Sequence, residues 1–161
     1  MYNEHLKIQP TKKNGNGVFT LAAIPANVPI LEISGDLFSS KDNIGDDHLQ
    51  VGIDNYIGPT GGIADYINHS CNANCVLDIS CNRAVLYSLF PIKENTEITF
   101  DYSMSSTDTH EMWKMECKCG EFGCRKIISG YNYLSLDLKE KYEKNGMTPK
   151  FMINKIFIKN I

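Results

Sequence analysis

Asn68-His69-Ser70-Cys71-Asn72-Ala73-Asn74 sets three amides, an imidazole, a hydroxyl and a thiol between apolar Ile67 and the β-prone run Cys75–Ile79. Taken alone, its Asn and Ser side chains could simply be satisfying their own turn. Working outward, Glu97-Ile98-Thr99-Phe100-Asp101-Tyr102 lies C-terminal to it and Gly15-Asn16-Gly17-Val18-Phe19 N-terminal. Beyond both is Cys117-Lys118-Cys119-Gly120-Glu121-Phe122-Gly123-Cys124. Singly, the first two have ordinary readings: an Asp-Tyr strand end with a packed ring, and a glycine turn. Four unusual segments in fixed order along one small chain resist that account.

The rest of the chain supplies short strands. Candidates are His5–Gln9, Val18–Leu21, Pro29–Ile33, Leu49–Ile53, Cys75–Ile79, Arg83–Phe90 and Glu97–Phe100, separated by Gly, Pro, Asn and Asp. This pattern implies a mainly antiparallel β body, sandwich-like or barrel-like. Ile63–Ile67 has room for one helical turn, and Ser103–Thr109 reads as a polar mobile loop. Ser135–Asn145 reads as a short helix with Gly146 as its C-terminal stop and Pro149 beyond. The tail Phe151–Ile161 fits strand or helix equally.

With 161 residues, 42% hydrophobic and 22% charged, the chain is sized and composed as one globular domain. Sixteen Lys and Arg against nineteen Asp and Glu give a net charge of −3. Only Arg83 and Arg125 are arginine, the residue best suited to base edges. Direct nucleic-acid readout is therefore disfavoured. No apolar run is long enough for a membrane span, and the N-terminus lacks a signal-peptide core. The expectation is a soluble intracellular protein, cytoplasmic or nuclear, with a host compartment included. In a reducing compartment, clustered thiols read as metal ligands before disulfides.

The C-x-C-x4-C run, with glycines to turn the backbone, can reach three corners of a zinc tetrahedron. A structural site needs a fourth ligand, and Cys71, Cys75, Cys81, His69 and His110 are all candidates.

Together the four segments resemble a SET-domain protein-lysine methyltransferase with a post-SET zinc knuckle and no pre-SET region. The resemblance spans about residues 5 to 130. It implies a β-clip (SET) fold with knot-like threading, divided into a SET domain (5–104), a post-SET loop and knuckle (105–130) and a helical or irregular tail (131–161). It implies S-adenosylmethionine as cofactor, held by Asn16, Gly17, Val18, Asn68, His69 and Tyr102. Tyr102 matches the catalytic tyrosine. Phe100 and Ile33 would line the lysine pocket, with Phe100 leaving room for di- or trimethylation. The zinc ligands become Cys71, Cys117, Cys119 and Cys124. Trp113 or Met115 is a candidate to pack on the adenine. The implied partner is a lysine-bearing basic peptide, a histone tail included. The reading from another class is a zinc-stabilised SET module that binds such a peptide without catalysis.

Four residues depart from the family's usual pattern. Asp65 stands for Arg, Ala73 for Pro, Lys126 for the Gly that follows Cys-Arg, and Ile33 for a pocket tyrosine.

Overall fold

The computed structural model describes residues 1–12, 15–39, 42–107 and 113–154. Among the described residues, twelve short strands form four small sheets rather than one sandwich or barrel. Strands β1 (Leu6–Pro10), β2 (Asn16–Thr20), β10 (Glu97–Phe100) and β7 (Asn68–His69) lie in that order in the largest. A second sheet orders β3 (Pro29–Ile33), β9 (Arg83–Ser88) and β8 (Cys75–Ser80). A third orders β4 (Leu37–Ser39), β6 (Asn55–Ile57) and β5 (Leu49–Gln50), and β11 (Lys114–Glu116) pairs with β12 (Ile127–Ser129).

The strands follow from alternation. In β9, Ala84, Leu86 and Ser88 turn inward, while Arg83, Val85 and Tyr87 face outward or sit half-buried. That is the period of two expected of an antiparallel strand covered on one face. Ser80 pairs with Arg83, so the β8–β9 turn is only Cys81-Asn82, and both residues have positive φ (52° and 59°). Such a two-residue loop matches the strands' right-handed twist. The side chains of Val18, Ile30, Ala84, Leu86 and Ile98 are fully buried in one core. Truncating Leu86 there to Ala would cost about 2–5 kcal/mol.

The chain's C-terminal part builds a second, smaller core from Met104, Tyr131, Tyr142 and Met152. Helix α1 (Leu136–Lys144) starts where Ser135 caps the Leu138 N–H. It ends at Gly146, whose φ of 66° lets Met147 N–H reach Tyr142 O and Gly146 N–H reach Glu143 O. Those two bonds are the Schellman arrangement expected of a glycine stop. Helix α2 (Lys150–Asn154) begins just after Pro149, so the start of the tail is helical. The rest of the tail lies outside the described residues.

The sequence missed β4, β6, β11 and β12, each of three residues, and made Leu49–Ile53 longer than the two-residue β5. It also misjudged Ser103–Thr109. Tyr102–Met104 is a 3-10 turn, and Ser103 and Thr107 are buried. Buried Gln50 holds this segment down: its Oε1 accepts from both the N–H and the hydroxyl of Thr107. Residues 108 and 109 fall outside the described residues.

Candidate active site and metal centre

β7 and β10 run parallel, with Asn68 opposite Thr99 and His69 opposite Phe100. This short pair is a wall with a cavity on each side. Along β10 the alternation separates the side chains: Glu97 and Thr99 line one cavity, Phe100 lines the other, and Ile98 is core. The first cavity, about 890 Å³, brings together Ile33, Tyr56, Ile67, Phe100 and Tyr102 at its apolar end. Asp42, Asp46, Asp47 and Asp65 also line it, with Lys114 as the only Lys or Arg among the described residues. The second, about 520 Å³, is lined by Phe19, His69, Ser70, Asn72, Glu97, Thr99, Cys119 and Glu121, with Lys12 at its edge.

Hydrogen bonds lock the wall. The Asn68 side-chain amide donates to Asn16 O (2.9 Å) and to Glu97 Oε1 (2.8 Å), tying β7 to β2 and β10. A Cβ on Gly17 would lie 2.4 Å from Glu97 Oε1 and 2.9 Å from Asn68 Nδ2. Any larger residue there would displace the Glu97, Asn68 or Thr11 side-chain ends and so disturb these bonds. Val18 is different. It is fully buried and pairs with Ile8 on one side and Ile98 on the other, so it is core beneath the site and offers no surface to a ligand.

His69 is nearly buried, and Nδ1 accepts the Tyr102 N–H at 3.1 Å. Nε2 then carries the proton and points at Cys71 Sγ, 3.2 Å away. Burial lowers the imidazole pKa to about 4, against a smaller upward pull from Asp101. The ring is therefore neutral, and the 3.5 Å approach of Nδ1 to Asp101 Oδ1 is not an ion pair. Both ring nitrogens are thus engaged within the chain.

The Tyr102 hydroxyl donates to Ile67 O at 2.7 Å, fixing the ring across the wall. Burial first, then the Glu97 charge, raises its pKa to about 12, so the phenol stays neutral. Asp101, one residue earlier, is buried and accepts from Ser103 N (3.0 Å), Arg125 Nη2 (2.6 Å) and Tyr142 OH (2.5 Å).

The thiols converge next to this wall. Ligand atoms of His69, Cys71, Cys117 and Cys119 all lie within 4.8 Å of one another. Cys71 and Cys117 sulfurs are 3.7 Å apart, close to the ~3.8 Å separation of two thiolates on one tetrahedral zinc. The Cys124 thiol donates to Cys117 O at 3.7 Å and is not one of these four. Burial would raise the Cys119 pKa, but the Cys71 and Glu121 amides and the neighbouring thiols outweigh it and bring it down to about 7. This cluster could hold zinc. Arg125 supports that fit: its main-chain N–H points at Cys71 Sγ (3.4 Å), and its Nε and Nη1 are buried with no hydrogen-bond partner among the described residues. Thiolate charge beside a guanidinium would satisfy them.

The other candidate ligands are elsewhere. Cys75 is buried in β8, and burial pushes its pKa up to about 12. Cys81 is exposed in the β8–β9 turn, and His110 lies outside the described residues. Trp113 lines the Tyr102 cavity rather than the Glu97 one, and Met115 is exposed on β11. The Asp65 carboxylate caps the Thr60 and Gly61 amides. Lys126 holds the left-handed backbone (φ 67°) at its glycine-favoured position.

Residues 15–103 match the SET domain. The chain belongs to the SET-domain family. It is 33% identical over 144 residues to Histone-lysine N-methyltransferase SETD1 of Drosophila melanogaster, covering 78% of this chain and 8% of that one. It is 31% identical over 131 residues to Histone-lysine N-methyltransferase, H3 lysine-4 specific, of Debaryomyces hansenii, covering 70% of this chain and 12% of the relative. The chain thus spans about a tenth of these relatives. Among solved structures, KRYPTONITE in complex with mCHH DNA, H3(1-15) peptide and SAH superposes with a TM-score of 0.64 at 28% identity. That match covers 76% of this chain and 29% of the other. The mainly β architecture of this SET protein is the one its sequence led us to expect. Among the described residues no helix is long and apolar enough to cross a membrane.

Proposed function

We propose that this SET domain transfers a methyl group from S-adenosylmethionine to the ε-amine of a lysine in a basic, histone-like peptide. The observation that carries this reading is the separation made by β10: Phe100 and Tyr102 on one side, Glu97 and Thr99 on the other. An acceptor and a donor can then meet across one thin wall.

The Glu97 cavity suits the cofactor. Its carboxylates can hold an ammonium, Lys12 a carboxylate and the Phe19 ring a flat base. His69 lines this cavity, and Asn16, Gly17 and Asn68 sit behind its Glu97, to which the Asn68 amide is bonded. When bound, the cofactor supplies an electrophilic methyl on sulfur. The chain's own residues prepare the acceptor. The apolar end at Ile33, Ile67, Phe100 and Tyr102 disfavours a charged amine and lowers the lysine pKa from its usual value near 10.4. The Tyr102 hydroxyl, its proton committed to Ile67 O, keeps lone pairs to orient the amine. The aspartate rim suits a basic peptide.

For zinc we favour Cys71, Cys117, Cys119 and Cys124 over a set containing His69. If Nε2 bound metal, Nδ1 would have to carry the proton and face the Tyr102 N–H, donor against donor. Phe100, lacking a hydroxyl, leaves space for an amine already methylated, so we read the product as di- or trimethyllysine. We read the working enzyme as a SET domain over 5–104, the knuckle segment 105–130 and the tail 131–161.

The test is methyl transfer from labelled donor to basic lysine peptides, wild type beside Tyr102→Phe. Tyr102→Phe is expected to lose about 100-fold or more in rate while binding cofactor normally by calorimetry. Near-normal turnover by the variant defeats the assignment. Cofactor binding by the wild type without transfer to any peptide would favour a non-catalytic binding module.

A further inference from the structure

The segment from Ser129 to Met152 lines neither cavity, yet it closes around the turn that carries Tyr102. The Ser103 hydroxyl donates to Ser129 O at 2.6 Å, and the Tyr131 N–H donates to Ser106 O at 2.8 Å. The Asn132 amide donates to Thr107 O, and Lys139 Nζ bonds Asn132 O in turn. Met104, from the turn itself, is buried among Tyr131, Tyr142 and Met152. Asp101 caps the turn by accepting the Ser103 N–H, and the Tyr142 hydroxyl reaches the other oxygen of that buried carboxylate at 2.5 Å.

We propose that residues 129–152 act as a clamp that positions Tyr102, with the Tyr142–Asp101 hydrogen bond as its principal latch. The catalytic half of this inference rests on the lysine-methyltransferase reading above; the structural half does not. The physical reason is local. Asp101 has three donors, from the turn, the knuckle and α1. Removing one leaves a buried carboxylate underserved. Its cheapest response is to rotate toward water or toward Arg125, and either movement releases the Ser103 cap. Tyr102 follows directly on Asp101, so its ring then samples orientations that misalign the acceptor. Tyr142 is a positioning residue: it touches Asp101, not substrate.

Tyr142→Phe keeps the ring in the second core and deletes only the donor. Hydrogen exchange should rise about tenfold or more at the Ser103–Ser105 amides and stay unchanged in the β8–β9 hairpin. In the methyltransfer assay kcat should fall about tenfold, with KM for the cofactor unchanged and Tyr133→Phe behaving as wild type. Leu138→Ala loosens the packing of α1 without touching Asp101, so it should give the same local exchange pattern at smaller amplitude. Unchanged exchange at the turn in both variants overturns the clamp. So does exchange rising equally in β8–β9, which would mean mere global destabilisation. If the wild type transfers no methyl group, the lysine-methyltransferase reading fails, and the exchange measurements still decide whether the clamp exists. If turn exchange rises while kcat holds, the clamp does not position the phenol and the proposal is wrong.

Discussion

The two cavities share one wall and differ in nearly everything else. The Tyr102 side is larger, rimmed by aspartates and closed by aromatic and aliphatic side chains. The Glu97 side is smaller and has polar atoms of both signs around a single phenyl ring, Phe19. Period-two alternation along four residues of β10 creates the contrast. One strand can therefore serve two ligands of unlike chemistry, and each can be disturbed alone.

Zinc removal should have the largest effect, because the knuckle region touches both sides: Cys119 and Glu121 at the Glu97 cavity, Trp113 and Lys114 at the Tyr102 cavity. Chelation is expected to abolish methyl transfer and cofactor binding together, while hydrogen exchange in β8 and β9 stays slow. Full activity after verified zinc loss, by metal analysis, would break the link between knuckle and wall. Next comes Asn68→Ala, which deletes both bonds that fix β7 to β2 and β10. Cofactor affinity should drop about tenfold or more by calorimetry, with peptide affinity little changed. Equal loss for both ligands would show that the cavities are not separable.

On the other side, Asp46→Asn with Asp47→Asn should raise KM for a basic peptide about three- to tenfold at low salt. The effect should shrink at high salt, because exposed charges are screened, and cofactor affinity should not move. The smallest rate effect is expected for Phe100→Tyr. The first methyl transfer should change little, but mass spectrometry should show products shifted toward monomethyllysine. An unchanged product distribution would remove Phe100 from the control of methylation state.

Strands of four to six residues bounded by turn signals were legible: β3 and β10 lie where the sequence places them, and β8 and β9 nearly so. Two- and three-residue strands were not, because so short a run carries no period to detect. Asn68, His69 and Tyr102 could be picked out as candidate site residues because polar residues interrupt apolar neighbours there. Val18 illustrates the opposite failure: motif position favoured a ligand contact, while its place between two partner strands made it core. Asp101 was visible only as a strand end. Its partners Arg125 and Tyr142 lie far away in sequence, and in α1 the tyrosine reads simply as an apolar-face residue. Ser103–Thr107 looked like loop by composition, since nothing in its Ser and Thr content announces that Gln50 and Tyr131 will bury it.

The parallel meeting of β7 and β10 also bears on how the molecule matures. Two very short strands separated by the whole β8–β9 hairpin cannot nucleate one another; loop closure must precede their few bonds. During refolding, the hairpin should therefore acquire protection first. Competence for either ligand should then appear late and in one step, with the same rate constant for both.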